Sequence, residues 1–310
     1  MKNNLWIIGC GDIGRRVVNL YNDQNDKQTD KQTDKQTGRI YALVHSELSK
    51  KRSDALGVKT IAVDLDNKNT LKNTIQSLNI KEAIEGSRLF YFAPPPSKGS
   101  EDTRLKQFLL SLATQPKRIV LISTTGVYGD SKGAWIDESY PINPQAERAQ
   151  RRYFAEQTLQ HWAQRYQSEY IILRVPGIYA KDRLPLTRLK KGLPIVKQQE
   201  AGWTNRIHAD DLARVCQYAM ESSISGEIYN VTDGHPSTMT DYFNQVADYA
   251  NLSRPPQISM QQAEATLSAG MVSYLKESRR ISNQKLLDHF DLKLHYPSLR
   301  QGLDNGLDKG

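Results

Sequence analysis

Two cysteines in 310 residues, Cys10 and Cys216, are too few and too far apart for a disulfide framework, and neither has the C-x-x-C or His spacing of a zinc site. Both are expected as reduced, partly buried thiols, and no metal centre is expected. Long apolar runs are absent too. No stretch approaches the roughly 18 residues that a membrane helix needs, and the opening Met-Lys-Asn-Asn-Leu-Trp-Ile-Ile-Gly reaches glycine too early for a signal peptide. A cytoplasmic protein without a membrane partner is therefore expected. Clustered charge of one sign is also missing. The net charge is +8, yet the basic residues are spread along the chain, with short groups at Lys50-Lys51-Arg52 and from Arg183 to Lys191. With no helix-turn-helix, zinc finger or aromatic stacking platform, a nucleic-acid partner is not expected, and a small anionic ligand accounts for the basic groups as well.

What is present is the make-up of an ordinary globular protein, 38% hydrophobic and 25% charged, long enough for one large α/β domain and a smaller one. Apolar runs bounded by turn residues predict strands at Leu5–Ile8, Arg39–Val44, Thr60–Val63, Leu89–Ala93 and Arg118–Ser123, each followed by a helix-like stretch. Tyr170–Leu173 and Glu227–Val231 extend the series. Such alternation predicts an α/β fold: a Rossmann-type, doubly wound parallel sheet with helices on both faces and right-handed crossovers. Past Arg174 the pattern loosens into Pro- and Gly-marked segments, Arg183–Pro194 and Pro255–Lys276, read as a smaller substrate lobe. The expected division is a core of 1–173 and 205–232 and a lobe of 174–204 and 233–310.

Asp26 to Thr37 is Asp-Lys-Gln-Thr written three times, polar throughout. Gly14 and His45 are 31 positions apart, and without these 12 residues the separation is 19, near the spacing of about 20 in a dinucleotide-binding βαβ unit. The repeat is thus expected as a surface-loop insertion between the first helix and the second strand.

Gly9-Cys10-Gly11-Asp12-Ile13-Gly14 is a G-x-G-x-x-G set directly after an apolar strand and opening an amphipathic run. Gly9 permits the tight turn, Gly11 lets backbone approach a pyrophosphate, and Gly14 lets helix pack on strand, with the helix N-terminus toward the phosphates. Asp12 and Ile13 lie in the same turn. Cofactor choice is read at the end of the second strand, here Val44-His45-Ser46. No acid stands there to take the ribose hydroxyls of NAD, and Lys50, Lys51 and Arg52 follow, so NADP is favoured over NAD; the alternative is that the basic cluster is the solvated first turn of a helix. Asp64-Leu65, after the third strand, are positioned to accept from the adenine amino group, or Asp64 caps a turn. Ala93 and Pro94, at the end of the fourth strand, complete the expected cofactor-binding set.

These pieces, with Ser123-Thr124-Thr125-Gly126-Val127-Tyr128-Gly129-Asp130, Leu173-Arg174-Val175-Pro176-Gly177-Ile178-Tyr179, Arg206-Ile207-His208-Ala209-Asp210-Asp211-Leu212 and Gly226-Glu227-Ile228-Tyr229-Asn230-Val231, stand in the order found in one family. The chain resembles the NAD-dependent epimerase/dehydratase family, the extended branch of the short-chain dehydrogenases/reductases, over nearly its whole length. The resemblance implies a hydroxyl residue after the fifth strand, placed at Thr124, and a Tyr-x-x-x-Lys pair on the next helix. Matched on Glu156, the pair falls on Arg148 and Arg152, so it is missing. Arginine stays protonated and cannot shuttle a proton near neutral pH. Tyr153 is about 100° around the helix from Arg152 and points elsewhere. Tyr128 is the substitute acid that shares a loop with Thr124, unless it is structural. The Thr-Asp-Glu triplet of the sugar dehydratases is absent as well, which disfavours sugar dehydration.

The chain therefore resembles atypical members that keep the cofactor fold without the Tyr-Lys pair. Arg148 and Arg152 either bind an anionic substrate or the cofactor phosphates, or form a solvated helix face. Arg174, His208 and Asp211 are expected on the substrate side; His208 is a proton donor or a residue that holds its loop. Two functions follow from the resemblance. One is an oxidoreductase or epimerase using NADP or NAD on a hydroxylated, anionic or nucleotide-linked small molecule, with Thr124 orienting the reacting oxygen. The other is a cofactor-binding redox sensor or scaffold without turnover. Helices flanking the fifth strand form dimers in many relatives, so the resemblance allows a homodimer, while the sequence itself is silent on oligomeric state.

Overall fold

A computed structural model describes residues 3–28 and 37–304. The chain separates into two compact units: one of 1–124, 147–174 and 212–229, and one of 125–146, 175–211 and 230–310. This differs from the division expected from sequence. Residues 125–146 and 205–211 join the second unit because their short strands pair there.

The first unit is built on β1 (Asn3–Ile8), β2 (Thr37–Val44), β3 (Lys59–Ala62), β4 (Arg88–Tyr91) and β5 (Arg118–Thr124), with helices α1 (Asp12–Gln28), α2 (Glu47–Asp54), α3 (Lys68–Gln76), α4 (Leu78–Ile84) and α5 (Thr103–Ser111) between them. All five predicted strands are present within two residues at either end. Their pairing runs β3, β2, β1, β4, β5 and is parallel throughout. β1 is wholly apolar in its last four residues and fully buried, as a central parallel strand covered on both faces must be. After the two-residue β6 (Trp135–Ile136), helix α6 (Glu147–Tyr166) leads to β7 (Glu169–Val175), which continues the sheet beyond β5. The order reverses between β1 and β4. That is the switch point at whose carboxyl ends open α/β sheets bind ligands. Trp6, stacked on Tyr41 at 4.6 Å between ring centroids, donates its indole N–H to Ala83 O and anchors the core.

The repeat expected as a loop falls largely outside the described residues. Its edges do not: α1 runs to Gln28 and β2 begins at Thr37, so the first repeat residues extend the helix and the last starts a strand.

The second unit is held by pairs of short strands. β8 (Gly177–Tyr179), α7 (Leu186–Lys190), β9 (Ile195–Val196), β10 (Trp203–Thr204) and β11 (Arg206–His208) are followed, past α8 (Ala209–Glu221), by β12 (Glu227–Asn230), the seventh strand of the main sheet. β13 (Ser237–Thr238), α9 (Met239–Tyr249), β14 (Gln257–Ile258) and β15 (Arg280–Ile281) complete the set. The pairs β6·β15, β8·β11 and β9·β14 are parallel and β10·β13 is antiparallel. A separate core forms around Tyr179, Phe243, Val246 and Leu303. A Cβ on Gly302 would meet the Tyr179 hydroxyl oxygen, so only glycine fits there.

Candidate functional site

At the end of β1 the backbone of Gly9 takes φ +89°, a conformation open to glycine, and a Cβ there would lie 2.6 Å from the Ala93 nitrogen. The chain can therefore turn out of β1 directly against the end of β4. A Cβ on Gly14 would lie 3.2 Å from Ile7 Cγ2, whereas one on Gly11 would meet nothing within 4 Å. Gly14 is thus a packing glycine, and Gly11 leaves open space at the N-terminal end of α1, where helix dipole and backbone N–H groups favour an anion. Ile13 is buried against the sheet. Asp12 would repel a phosphate, but Arg16 one turn on donates to its carboxylate at 3.1 Å and offsets it.

Beside this turn lies a cavity of about 180 Å³, walled by Gly9, Leu43–His45, Val63–Leu65, Ala93, Pro94 and Arg104. That is below the roughly 300 to 1,000 Å³ of a drug-sized site. Asp64 Oδ1 accepts from the Asp66 N–H at 2.9 Å and stands 3.7 Å from His45 Nδ1. Ser46 caps α2, its hydroxyl accepting from the Ser49 N–H. Lys50 is held by Asp54 at 2.9 Å.

Arg104 was not legible as a site residue. From the first turn of α5 it forks onto Asp66, Nε to Oδ1 at 2.8 Å and Nη2 to Oδ2 at 2.6 Å, while Nη1 donates to Pro94 O at 3.1 Å. Hydrogen bonding to Arg104 holds the Asp66 carboxyl below its ordinary range, and the same bond raises the Arg104 guanidinium. The couple ties the turn after β3 to the turn after β4. Only the fold could reveal it, since the partners are 38 residues apart.

On α6, Arg148 is exposed and Arg152 half-buried. Arg151, between them, donates to Gly99 O at 2.5 Å. Arg152 Nη1, Asp102 Oδ2 and Tyr91 Oη are buried without a hydrogen-bond partner, and their charges act on one another. Asp102 Oδ1 is used, accepting from the Leu105 N–H as the cap of α5. Burial dominates both charged groups, raising the Asp102 carboxyl and lowering the Arg152 guanidinium despite their attraction. Deeper on α6, Glu156 takes Arg174 Nε and Nη2 at 3.2 and 2.8 Å and the Ser123 hydroxyl at 2.5 Å. Thr124, half-buried, is the last residue of β5.

Arg174 and Asp211, expected on the substrate side, both have partners within the protein. Arg174 is buried in its ion pair with Glu156, because a guanidinium at the end of a central strand has to be neutralised where it is desolvated. Asp211, fully buried, accepts from the His295 and Tyr296 N–H groups at 2.8 and 2.7 Å and so anchors the C-terminal segment. His208 packs 3.8 Å from the Tyr296 ring, with Nδ1 accepting from the Asp210 N–H, the loop-holding alternative. Tyr128 is fully buried and donates to Asn230 Oδ1 at 2.8 Å, which fits its structural alternative. Among the described residues no three His, Cys, Asp or Glu side chains are grouped to hold a metal ion, and no helix is long and apolar enough to cross a membrane. Both cysteines are buried, free thiols raised by burial.

The sequence model of the NAD-dependent epimerase/dehydratase family matches residues 9–232, and the chain belongs to that family of NAD(P)-binding enzymes. A solved protein from Silicibacter pomeroyi DSS, described as functionally unknown and conserved, is similar over 98% of both chains at 26% identity and TM-score 0.78. The dTDP-glucose 4,6-dehydratase of Bacillus anthracis, in complex with NAD, is similar in fold at TM-score 0.74 over 98% of this chain and 94% of its own, with 17% identity. UDP-glucose 4-epimerase of Thermotoga maritima, with UDP-glucose, is similar at TM-score 0.72 over 97% and 96%, with 16% identity. A curated relative from Methanocaldococcus jannaschii, named "Putative UDP-glucose 4-epimerase", is 25% identical over 139 residues, 41% of this chain and 45% of its own length. The chain thus spans under half of the curated relative it matches.

Proposed function

We propose that the chain binds NADP or NAD between the Gly9–Gly14 turn and the cavity at His45, Asp64 and Arg104, and acts as an oxidoreductase or epimerase on a hydroxylated, anionic or nucleotide-linked small molecule. The observation that carries this reading is the close approach of Gly9 to Ala93, which leaves an open cradle at the positive end of α1 where a side chain on Gly11 would otherwise stand. Gly9, Gly11 and α1 would hold the pyrophosphate, Asp64 and Leu65 the adenine, and His45 and Ser46 the adjoining ribose. The bound dinucleotide supplies a hydride donor or acceptor. Thr124 orients the reacting oxygen by hydrogen bonding, and Arg148 with Arg152 supplies fixed positive charge where the family's proton-transfer pair usually stands. NADP is the favoured form, and the active unit is a homodimer for which the exposed Leu110 of α5 offers an apolar contact.

The same two arginines support a second reading, a nicotinamide-binding sensor or scaffold without turnover, because neither can exchange a proton near neutral pH. Calorimetric titration with NADPH, NADP, NADH and NAD tests both. Binding of a nicotinamide dinucleotide supports the site, and its absence for all four removes both readings. Given binding, a change of nicotinamide absorbance or of sugar configuration with UDP- and dTDP-linked hexoses supports the enzyme, whereas tight binding with no such change supports the sensor.

A further inference from the structure

His45 stands at the lip of the cofactor cavity with 77% of its side chain exposed, one residue beyond β2 and one before the α2 cap Ser46. This is the position from which a basic group meets a 2′-phosphate and an acidic one the ribose hydroxyls. The other charges around it are arranged so that His45 decides between them. Asp64, from the turn after β3, lies 3.7 Å from His45 Nδ1, and Asp66 in the same turn is committed to Arg104 of α5. On α2, Lys50 is committed to Asp54, Glu47 lies in the first turn, and Lys51 and Arg52 lie in the last turn, at the end remote from Ser46.

We propose that His45 makes the cofactor preference of this protein a function of pH, with NADP favoured when the imidazole is protonated and NAD when it is neutral. The proposal rests on the reading of this cavity as the adenosine half of a dinucleotide site. With a proton on both ring nitrogens, His45 offsets Asp64 and presents an N–H to a 2′-phosphate. Without that proton, Asp64 is the uncompensated charge at the lip and repels a phosphate on the ribose that His45 adjoins. Histidine is the side chain whose ordinary titration falls between about pH 5 and 8, which sets the interval over which the two preferences are compared.

The test is calorimetric titration of the full chain with NADPH and NADH at about pH 6 and about pH 8 at fixed salt, on the wild type, His45→Gln and His45→Arg. His45 is exposed, so neither variant threatens folding. In the wild type the affinity ratio of NADPH to NADH is expected to fall about tenfold over that interval, the worth of one charge-assisted hydrogen bond. His45→Gln should hold the low ratio at both values and His45→Arg the high one. The ligand phosphate itself titrates near pH 6; His45→Gln, which lacks the imidazole, reports that contribution, and the wild-type fall is read relative to it. A wild-type ratio that does not fall, or the same fall in His45→Gln, overturns the proposal. No binding of either dinucleotide to any of the three at either pH overturns the cofactor reading beneath it, a different result from binding without a pH-dependent preference.

Discussion

Asp66 with Arg104 and Asp102 with Arg152 are two couples of the same chemistry, and Asp102 and Arg104 are two residues apart at the start of α5. At the first couple, two parallel hydrogen bonds form where solvent still reaches, with 47% of the Asp66 side chain exposed, and both groups move toward their charged forms. Around the second, Asp102 is fully buried, each member keeps an unpartnered polar atom, and both move toward their neutral forms. The difference teaches that attraction between unlike charges does not settle whether a pair is stabilising. Hydration lost on burial opposes it, and direct hydrogen bonds decide the sign. The exposed couple fixes a wall of the cavity beside Gly9 at small cost. The buried one holds a cation on α6 at the position where the resemblance places a lysine.

Breaking the buried couple should have the largest effect. Asp102→Ala removes both the α5 cap and the acid whose charge acts on Arg152, and is expected to lower unfolding free energy by about 3–5 kcal/mol in denaturant titration. Replacing both charges, as Asp102→Asn with Arg152→Met, keeps a capping oxygen and should return stability to within about 1 kcal/mol of wild type. If the double variant is as unstable as Asp102→Ala, burial of charge is not the cost.

The exposed couple is broken by Arg104→Ala. Stability should change by less than about 1 kcal/mol, while affinity for the dinucleotide falls about tenfold, because the turns bearing Asp64 and Pro94 lose their tie. A change in stability with no change in affinity would remove Arg104 from the cofactor site.

The smallest effect, and the finest comparison, is the dependence of stability on acid. Asp66 has its folded-state pKa below the unfolded value of about 3.9, so its contribution is present above that value and lost as pH falls through the folded one. Asp102 has its folded-state pKa above the unfolded value, so between the two the folded state binds more protons and stability falls as pH rises. Relative to wild type, Asp102→Asn should flatten the fall on the alkaline side of about pH 4, whereas Asp66→Asn should flatten the loss on the acid side. Urea midpoints measured across that range report both slopes.

Much of the cofactor end was legible beforehand because its determinants are local. Gly9, Gly11 and Gly14 act within one turn, and a strand such as Leu5–Ile8 declares itself by unbroken apolar residues. The ends of β2, β3 and β4, with His45, Asp64, Leu65, Ala93 and Pro94, then line one cavity because parallel strands in this topology end on the same side. The substrate-side expectations fared differently. Arg174 and Asp211 have the composition of ligand-binding residues, but burial turned each into an internal tie, one to Glu156 and one to the backbone of His295 and Tyr296. A charged side chain reads the same in sequence whether it faces water or a partner.

By itself the sequence determined the succession of strands and helices, the glycine turn after β1, and the arginines that α6 carries at 148 and 152, since each is set by neighbours along the chain. Tertiary structure alone decided which unit residues 125–146 and 205–211 join, that Arg104 and Asp66 meet across 38 residues, and which charges are solvated. The physical reason is that a charge's free energy depends on its hydration and on partners brought from distant segments, and neither exists until the chain has folded.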